Sequence, residues 1–260
     1  MILLKNRGVL AVKGEDALNF LNNILTNNVD DATAETAVFA GLLSPQGKYL
    51  FDMFVMRKDD GFLLDCNAPQ ELFKRLKMYK LRSKVELTDL SEEYSVFANM
   101  TPAKGGFKDP RNENIGYRII APIDTEQDGD FADYENLRIA NSIPELQQDL
   151  IRDGDFALEG LMDEMGAIDF HKGCYVGQEM TSRMKRRTTV KNKLMQIGFS
   201  GPTPAYNSPI VSADSTVGYT RSVINNIGMA LIRIDKLENA ITQGQKLLAN
   251  GTEIFIPEKK

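Results

Sequence analysis

One segment stands apart for its chemistry: His171-Lys172-Gly173-Cys174-Tyr175-Val176-Gly177-Gln178-Glu179. Glycines on both sides of a thiol allow close backbone approach and unusual φ/ψ, so Cys174 can sit at an exposed bend. Lys172 and His171, if near the sulfur, would favour the thiolate, which is the form that attacks electrophiles and binds metals. Gln178 and Glu179 either open a following helix or anchor the loop to the next domain. A plainer reading stands beside this one, a buried Cys in a turn, because free Cys is usually a small core residue. Cys66, inside the apolar run 61–66, takes that plainer reading.

The rest of the composition narrows the chemistry. The 260 residues contain one His, two Cys and no Trp. One His excludes a two-histidine metal site, and two Cys exclude a four-thiolate zinc site or cluster within the chain. No permanently bound metal is expected. The net charge of −5 argues against a dedicated nucleic-acid binder. The composition, 42% hydrophobic and 26% charged, suits a globular core. No stretch approaches the ~20 apolar residues of a membrane helix, and the start lacks a signal-peptide core. With both thiols reduced, the expected compartment is the cytoplasm, with no membrane partner.

The elements that must carry this segment follow from periodicity. Ala17, Phe20, Leu21, Ile24 and Leu25 mark an amphipathic helix. Residues 1–13, with Gly8 to Val12 its apolar part, and 37–43, 49–57 and 61–66 read as strands, with a tight turn at Ser44-Pro45-Gln46-Gly47. Pro69 opens a second helix along Leu72, Phe73, Leu76, Tyr79 and Lys80. Strands that come in hairpins favour α+β with antiparallel sheets. About 101–133 reads as a loop-heavy second lobe around a strand at 116–121, and the acidic segment 145–170 as a solvated surface. From Lys193 onward, five or six short strands suggest a small β-barrel, with a hairpin turn at Asn225-Asn226. The boundary falls near 183–193, giving a body over 1–185 and a barrel over 190–260. Arg82 and Lys84 alternate on an expected strand, facing either the interior of the body or solvent. Asp52 shares a strand face with Leu50, Phe54 and Met56, and so lines a cavity or marks an open sheet face. The basic run Arg183, Lys185, Arg186, Arg187, Lys191 and Lys193 fits a solvated linker better than a nucleic-acid surface, since no aromatics interleave it.

Lys172-Gly173-Cys174-Tyr175-Val176-Gly177-Gln178-Glu179 resembles the KGCYxGQE signature of the YgfZ/Iba57-type folate-binding family. The likeness continues through Ser44–Lys48, Tyr79–Val85, Leu137-Arg138-Ile139 with Ile143-Pro144-Glu145, Leu161–Glu164 and Asp169-Phe170, from about Gly8 to Ile256. It implies an aminomethyltransferase-like, two-lobed folate-binding body with antiparallel sheets, followed by a C-terminal β-barrel. It further implies tetrahydrofolate as cofactor, with Asp52, Arg82, Lys84, Tyr134 and Arg138 as candidate contacts. The motif thiol carries over to Cys174, with Lys172, Gly173, Tyr175, Gly177, Gln178 and Glu179 around it. The implied role is an accessory factor in assembly or repair of iron–sulfur proteins, including radical-SAM enzymes that modify tRNA. Its partners would be folate and iron–sulfur clients or assembly proteins, not nucleic acid directly. The aminomethyltransferase hairpin carries an Asp-Asp pair where this chain has Phe51-Asp52. Its Arg-Leu-Glu stretch is Arg138-Ile139-Ala140 here. Losing one carboxylate in each place removes groups that position the one-carbon unit, so aminomethyl turnover is not expected. Folate-dependent aminomethyl transfer and direct tRNA binding remain the competing functions.

Overall fold

The computed structural model describes residues 1–187 and 190–257. The N-terminal body holds two antiparallel sheets. The first has five strands in the order Val38–Leu43, Tyr49–Lys58, Gly61–Asn67, Arg7–Lys13, Glu86–Asp89. The second has four, in the order Ile2–Leu3, Tyr94–Asn99, Tyr117–Pro122, Gly106–Lys108. Neighbouring pairs are antiparallel throughout, as the hairpin pattern requires.

The first sheet is buried on both faces, so its two long central strands, Tyr49–Lys58 and Gly61–Asn67, are apolar almost throughout. On one face lie α1 (Ala17–Ile24) and α2 (Pro69–Lys80), whose Phe20, Leu21, Ile24, Leu72 and Leu76 pack against Met53, Val55 and Leu64. The other face, with Tyr49, Phe54 and Met56, belongs to a second core. A β-bulge opposite Leu42/Leu43 puts Leu50 in the α1/α2 core and away from Phe54 and Met56. Strict alternation along the strand misplaces that residue.

Three further helices complete the body: α3 (Phe131–Ala140), α4 (Leu146–Asp149) and α5 (Gln178–Arg187). The region around 101–133 therefore contains the start of α3 and one short strand, Gly106–Lys108, beyond the expected one. The acidic segment 145–170 is core and not a solvated surface. Leu146, Leu150, Ala157, Leu158, Met162 and Ala167 are buried, and so are Glu145, Asp149 and Glu159. Its acids are tolerated because arginines and backbone amides meet them. α5 corrects the linker reading for Arg183, Lys185, Arg186 and Arg187. They lie on a helix with Thr181 and Met184 buried, Lys185 is held by Asp163 at 2.7 Å, and Lys193 is paired with Glu164. Residues 188 and 189 of that stretch lie outside the described residues, as do 258–260 of the expected barrel domain.

From Asn192 to Phe255 six strands close into a barrel, with α6 (Ile234–Thr242) against it. The hairpin turn at Asn225-Asn226 is present, Asn225 taking φ +50°. Barrel residues Leu194, Met229 and Leu231 belong to the same core cluster as Met162 and Tyr175 of the body. The seam also has a polar lock. The buried Asp149 accepts from the Ser222 amide at 2.9 Å and from Arg138 Nη1 at 3.2 Å, while Arg221 Nε donates to the Asp149 carbonyl at 3.0 Å.

Candidate functional site: the Cys174 loop and the buried ion cluster

The motif runs through an irregular loop into the start of α5 at Gln178. Cys174 is exposed, whereas Cys66 is fully buried, with its thiol pushed well up by burial. The chain thus presents one accessible thiol, on the motif.

Lys172 fixes the loop. Its ammonium donates to the carbonyls of Asn22, Leu25 and Asn27 at 2.8, 2.9 and 2.8 Å. The Asn22 and Leu25 carbonyls end α1, where the helix leaves acceptors unmatched and carries partial negative charge, and Asn27 follows two residues past the cap. Burial pushes the Lys172 pKa down to about 8, with Asp169 opposing. The hydrogen bonds of this ammonium thus go to the end of α1 and the residues just after it. His171 is exposed, and its backbone N–H donates to Asp169 Oδ1 at 2.7 Å.

The two motif glycines differ. Gly177 has φ +86°, and a Cβ there would stand 2.6 Å from the Ser44 carbonyl and 3.0 Å from Leu43 Cβ. Opposite it, Gly47 (φ +75°) faces Met180 and Thr181 of α5. The 44–47 turn and the start of α5 therefore pack backbone to backbone, and only glycine fits both conditions at 177. Gly173 is unconstrained: its φ lies outside the left-handed region, and a methyl group added there would meet nothing within 4 Å. Gln178 Nε2 reaches back to the Gly173 carbonyl at 3.5 Å, and Glu179 is exposed. Tyr175 is buried in the core shared with the barrel. Burial raises its phenol to about 12, and its hydroxyl has no partner among the described residues.

Of the expected folate contacts, Asp52 and Tyr134 are joined through one buried network by way of Arg7, Asp65 and Arg118, Arg138 lies at the barrel seam, and Arg82 and Lys84 are on the surface. Asp52, buried on its strand, accepts from Arg7 Nη1 at 2.6 Å, Tyr49 OH at 2.7 Å and Asn67 Nδ2 at 2.5 Å. It lies in the interior and marks no open sheet face. Tyr134 is buried, and its hydroxyl accepts from Arg111 at 2.9 Å and Arg118 at 3.1 Å, so no ring face is offered for stacking. Arg138 is fully buried and pairs with Glu135 at 2.6 Å and with Asp149 at the barrel seam. Arg82 and Lys84 lie on the turn after α2, before the strand Glu86–Asp89. Both are exposed, and Lys84 holds Glu15 at 2.8 Å. The strand expected under them starts two residues later, because Leu81 takes φ +43° and breaks the helix into a turn.

What the interior contains is a cluster that periodicity did not reveal. Asp65 receives Arg7 Nε at 2.7 Å and Arg118 Nε at 2.6 Å. Asp109 receives Arg111 at 2.8 Å and Arg118 at 3.4 Å, and Glu145 approaches Arg7 at 3.3 Å. Phe54 lies beneath the guanidinia of Arg118, Arg111 and Arg7, at 4.1, 5.0 and 5.3 Å. Burial alone would raise Asp65, but Arg118 and Arg7 outweigh it and its pKa falls below the usual carboxylate value. Asp109 is lowered in the same way against burial, chiefly by Arg111. For Glu145 burial wins over Arg7, and its pKa is raised. The sequence signal was available in the charged residues interrupting apolar strands, Asp65 in Gly-Phe-Leu-Leu-Asp-Cys-Asn and Arg118 in Tyr-Arg-Ile-Ile-Ala-Pro.

Residues 4–103 match the GCVT N-terminal domain family, and residues 191–257 match the CAF17 C-terminal beta-barrel domain. Among similar proteins, an iron–sulfur cluster assembly factor IBA57 homolog, mitochondrial, from Pyricularia oryzae is 29% identical, the alignment covering 97% of this chain and 77% of that one. The IBA57 iron–sulfur cluster assembly factor, mitochondrial, of Homo sapiens is 28% identical over 92% of this chain and 78% of its own. A Mycosarcoma maydis homolog reaches 35% over 77% of this chain and 58% of its own. Among solved structures, the glycine cleavage system aminomethyltransferase T of Bartonella henselae superposes with TM-score 0.75 at 12% identity, covering 99% of this chain and 84% of that one. That likeness establishes an aminomethyltransferase-like fold with mixed helices and strands and a closed six-stranded barrel. The chain thus carries a GCVT-type N-terminal domain followed by a CAF17-type C-terminal beta-barrel, and the relatives that match it over most of its length are named as IBA57 iron–sulfur cluster assembly factors.

Proposed function

We propose that the chain is an iron–sulfur cluster assembly factor in which Cys174 supplies a thiolate to a cluster in transit. The observation that carries this reading is the single exposed thiol on a loop fixed from both sides, by Lys172 at the end of α1 and by Gly177 against the 44–47 turn. A thiolate is the usual ligand of such clusters. Among the described residues no three His, Cys, Asp or Glu side chains are grouped as metal ligands. The remaining ligands would therefore come from a partner protein or small thiols, and the cluster is cargo. Radical-SAM tRNA-modifying enzymes are one class of client that this role would serve.

Tetrahydrofolate does not fit Asp52, Tyr134 and Arg138 as they stand, since each polar group is already matched inside the protein. No step is assigned to it. Aminomethyl transfer and direct tRNA contact have no comparable support, Lys185 and Lys193 being paired with acids of the body. No described helix is long and apolar enough to cross a membrane. The relatives are named mitochondrial, and two unpaired thiols suit any reducing compartment, cytoplasm or organelle matrix alike.

The test is genetic. In cells lacking the chain, wild type is expected to restore the activity of an iron–sulfur enzyme such as aconitase, and Cys174→Ala to fail while remaining folded. Full restoration by Cys174→Ala contradicts the proposal.

A further inference from the structure

Residues 74–84 carry six cations and no acid (Lys74, Arg75, Lys77, Lys80, Arg82 and Lys84) in a chain whose net charge is −5. Among them stand two apolar side chains in solvent, Leu81 at 86% exposure and Met78 at 68%. Lys77 and Lys80, in the last turn of α2, suit the negative end of the helix. That explanation does not reach Leu81. A leucine held at φ +43° is strained, and one this exposed returns nothing to the core. Two acids lie within the patch: Asp16 borders the same hollow as Leu81 and Arg82, its Oδ2 accepting from the Lys84 amide at 2.7 Å, and Glu86 borders that of Lys77 and Lys80. Glu15 holds Lys84, and the six cations still outnumber these acids.

The patch is tied to the motif loop through α1. The 81–85 turn is clamped to the start of that helix, where a Cβ on Gly14 would stand 2.3 Å from the Lys84 carbonyl, and Lys172 is clamped to its end. An eight-residue helix spans about 12 Å, so the apolar knuckle and the thiol loop are anchored one short helix apart.

We infer that residues 77–84 are a docking surface for an acidic partner protein, Leu81 being its apolar anchor and Lys77, Lys80 and Arg82 its charged rim. This rests on the reading that Cys174 exchanges a cluster with a partner, and it names where that partner holds on. Charge complementarity selects an acidic occupant, and a single apolar anchor within a charged rim is a common interface pattern.

The probe is a fluorescein-labelled peptide of glutamates around one leucine, followed by fluorescence anisotropy with the full chain. Wild type is expected to bind it saturably, more weakly as salt rises. Leu81→Ser and the triple variant Lys77→Glu/Lys80→Glu/Arg82→Glu should each weaken binding by about tenfold while remaining folded, the triple variant melting somewhat lower because Lys77 and Lys80 leave the negative end of α2. Cys174→Ala should bind it as wild type does, so loss of cluster transfer and loss of docking are read separately. Absence of saturable binding, or equal binding by all variants, overturns the inference. So does Leu81-dependent pelleting with phosphatidylserine vesicles, or Leu81-dependent self-association, in the absence of peptide binding.

Discussion

The ammonium of Lys172 stands 2.9 Å from the carbonyl of Leu25, at the C-cap of α1. The motif lysine is thereby a helix cap, and through it the Cys174 loop is held to the body. Lys172→Met leaves three carbonyls without that donor and should cost about 1–2 kcal/mol in urea unfolding. Rescue of an iron–sulfur enzyme should fall although Cys174 still titrates with a thiol reagent. Unchanged stability and unchanged rescue would show the contact to be incidental.

The two motif glycines separate a packing constraint from a merely flexible position. Gly177→Ala must strain φ +86° and push against the Ser44 carbonyl, and is expected to destabilise by about 1–3 kcal/mol. Gly173→Ala meets nothing and should stay within about 0.5 kcal/mol. Paired chemical-denaturation curves check this, and equal effects would contradict the geometry.

The interior cluster sets Arg7, Arg111 and Arg118 against Asp52, Asp65, Asp109 and Glu145, with Arg118 Nη2 and Asn67 Oδ1 left without partners among the described residues. Arg118→Met leaves Asp65 buried with one guanidinium fewer and should destabilise by about 3–5 kcal/mol. Tyr134→Phe removes an acceptor shared by Arg111 and Arg118 and should cost about 1–3 kcal/mol. Because Asp52, Tyr134 and Arg138 are already matched, none of their substitutions should alter tetrahydrofolate affinity by way of a lost direct contact. A calorimetric titration in which Asp52→Asn abolishes wild-type binding without unfolding the chain would contradict this.

The same cluster gives a pH dependence of definite sign. Asp65 and Asp109 have folded pKa values below 3.8, so their contribution is present above that value and is lost as pH falls through the folded ones. Glu145 has its pKa raised above 4.5, so it opposes folding increasingly as pH rises from 4.5 through its folded value. Carboxyl carbon NMR should show Glu145 titrating above 4.5 while Asp65 remains ionised at pH 3.8.

Much of this was legible in the sequence, for reasons that particular residues make plain. The helix at Ala17, Phe20, Leu21 and Ile24 and the hairpin around Ser44–Gly47 rest on local periodicity and turn chemistry, and both are present. The barrel announced itself by short strands and the Asn225 turn. The acidic segment 145–170 misled because composition does not say that Arg138 and Arg221 meet Asp149 from distant elements. Arg82 and Lys84 misled because Leu81 adopts a left-handed conformation that propensity disfavours. The motif thiol could be located by type and spacing, but the use of Lys172 as a cap on α1 depends on a contact across 147 residues of chain.

The most direct test of the central claim is ligand exchange at Cys174. Mixed with a glutathione-coordinated [2Fe–2S] cluster, the wild-type chain should exchange one glutathione thiolate for Cys174 and acquire a visible circular dichroism signal that the free cluster lacks. Cys174→Ala should acquire none, with its melting temperature unchanged. The same signal on Cys174→Ala would contradict a ligand role for this thiol.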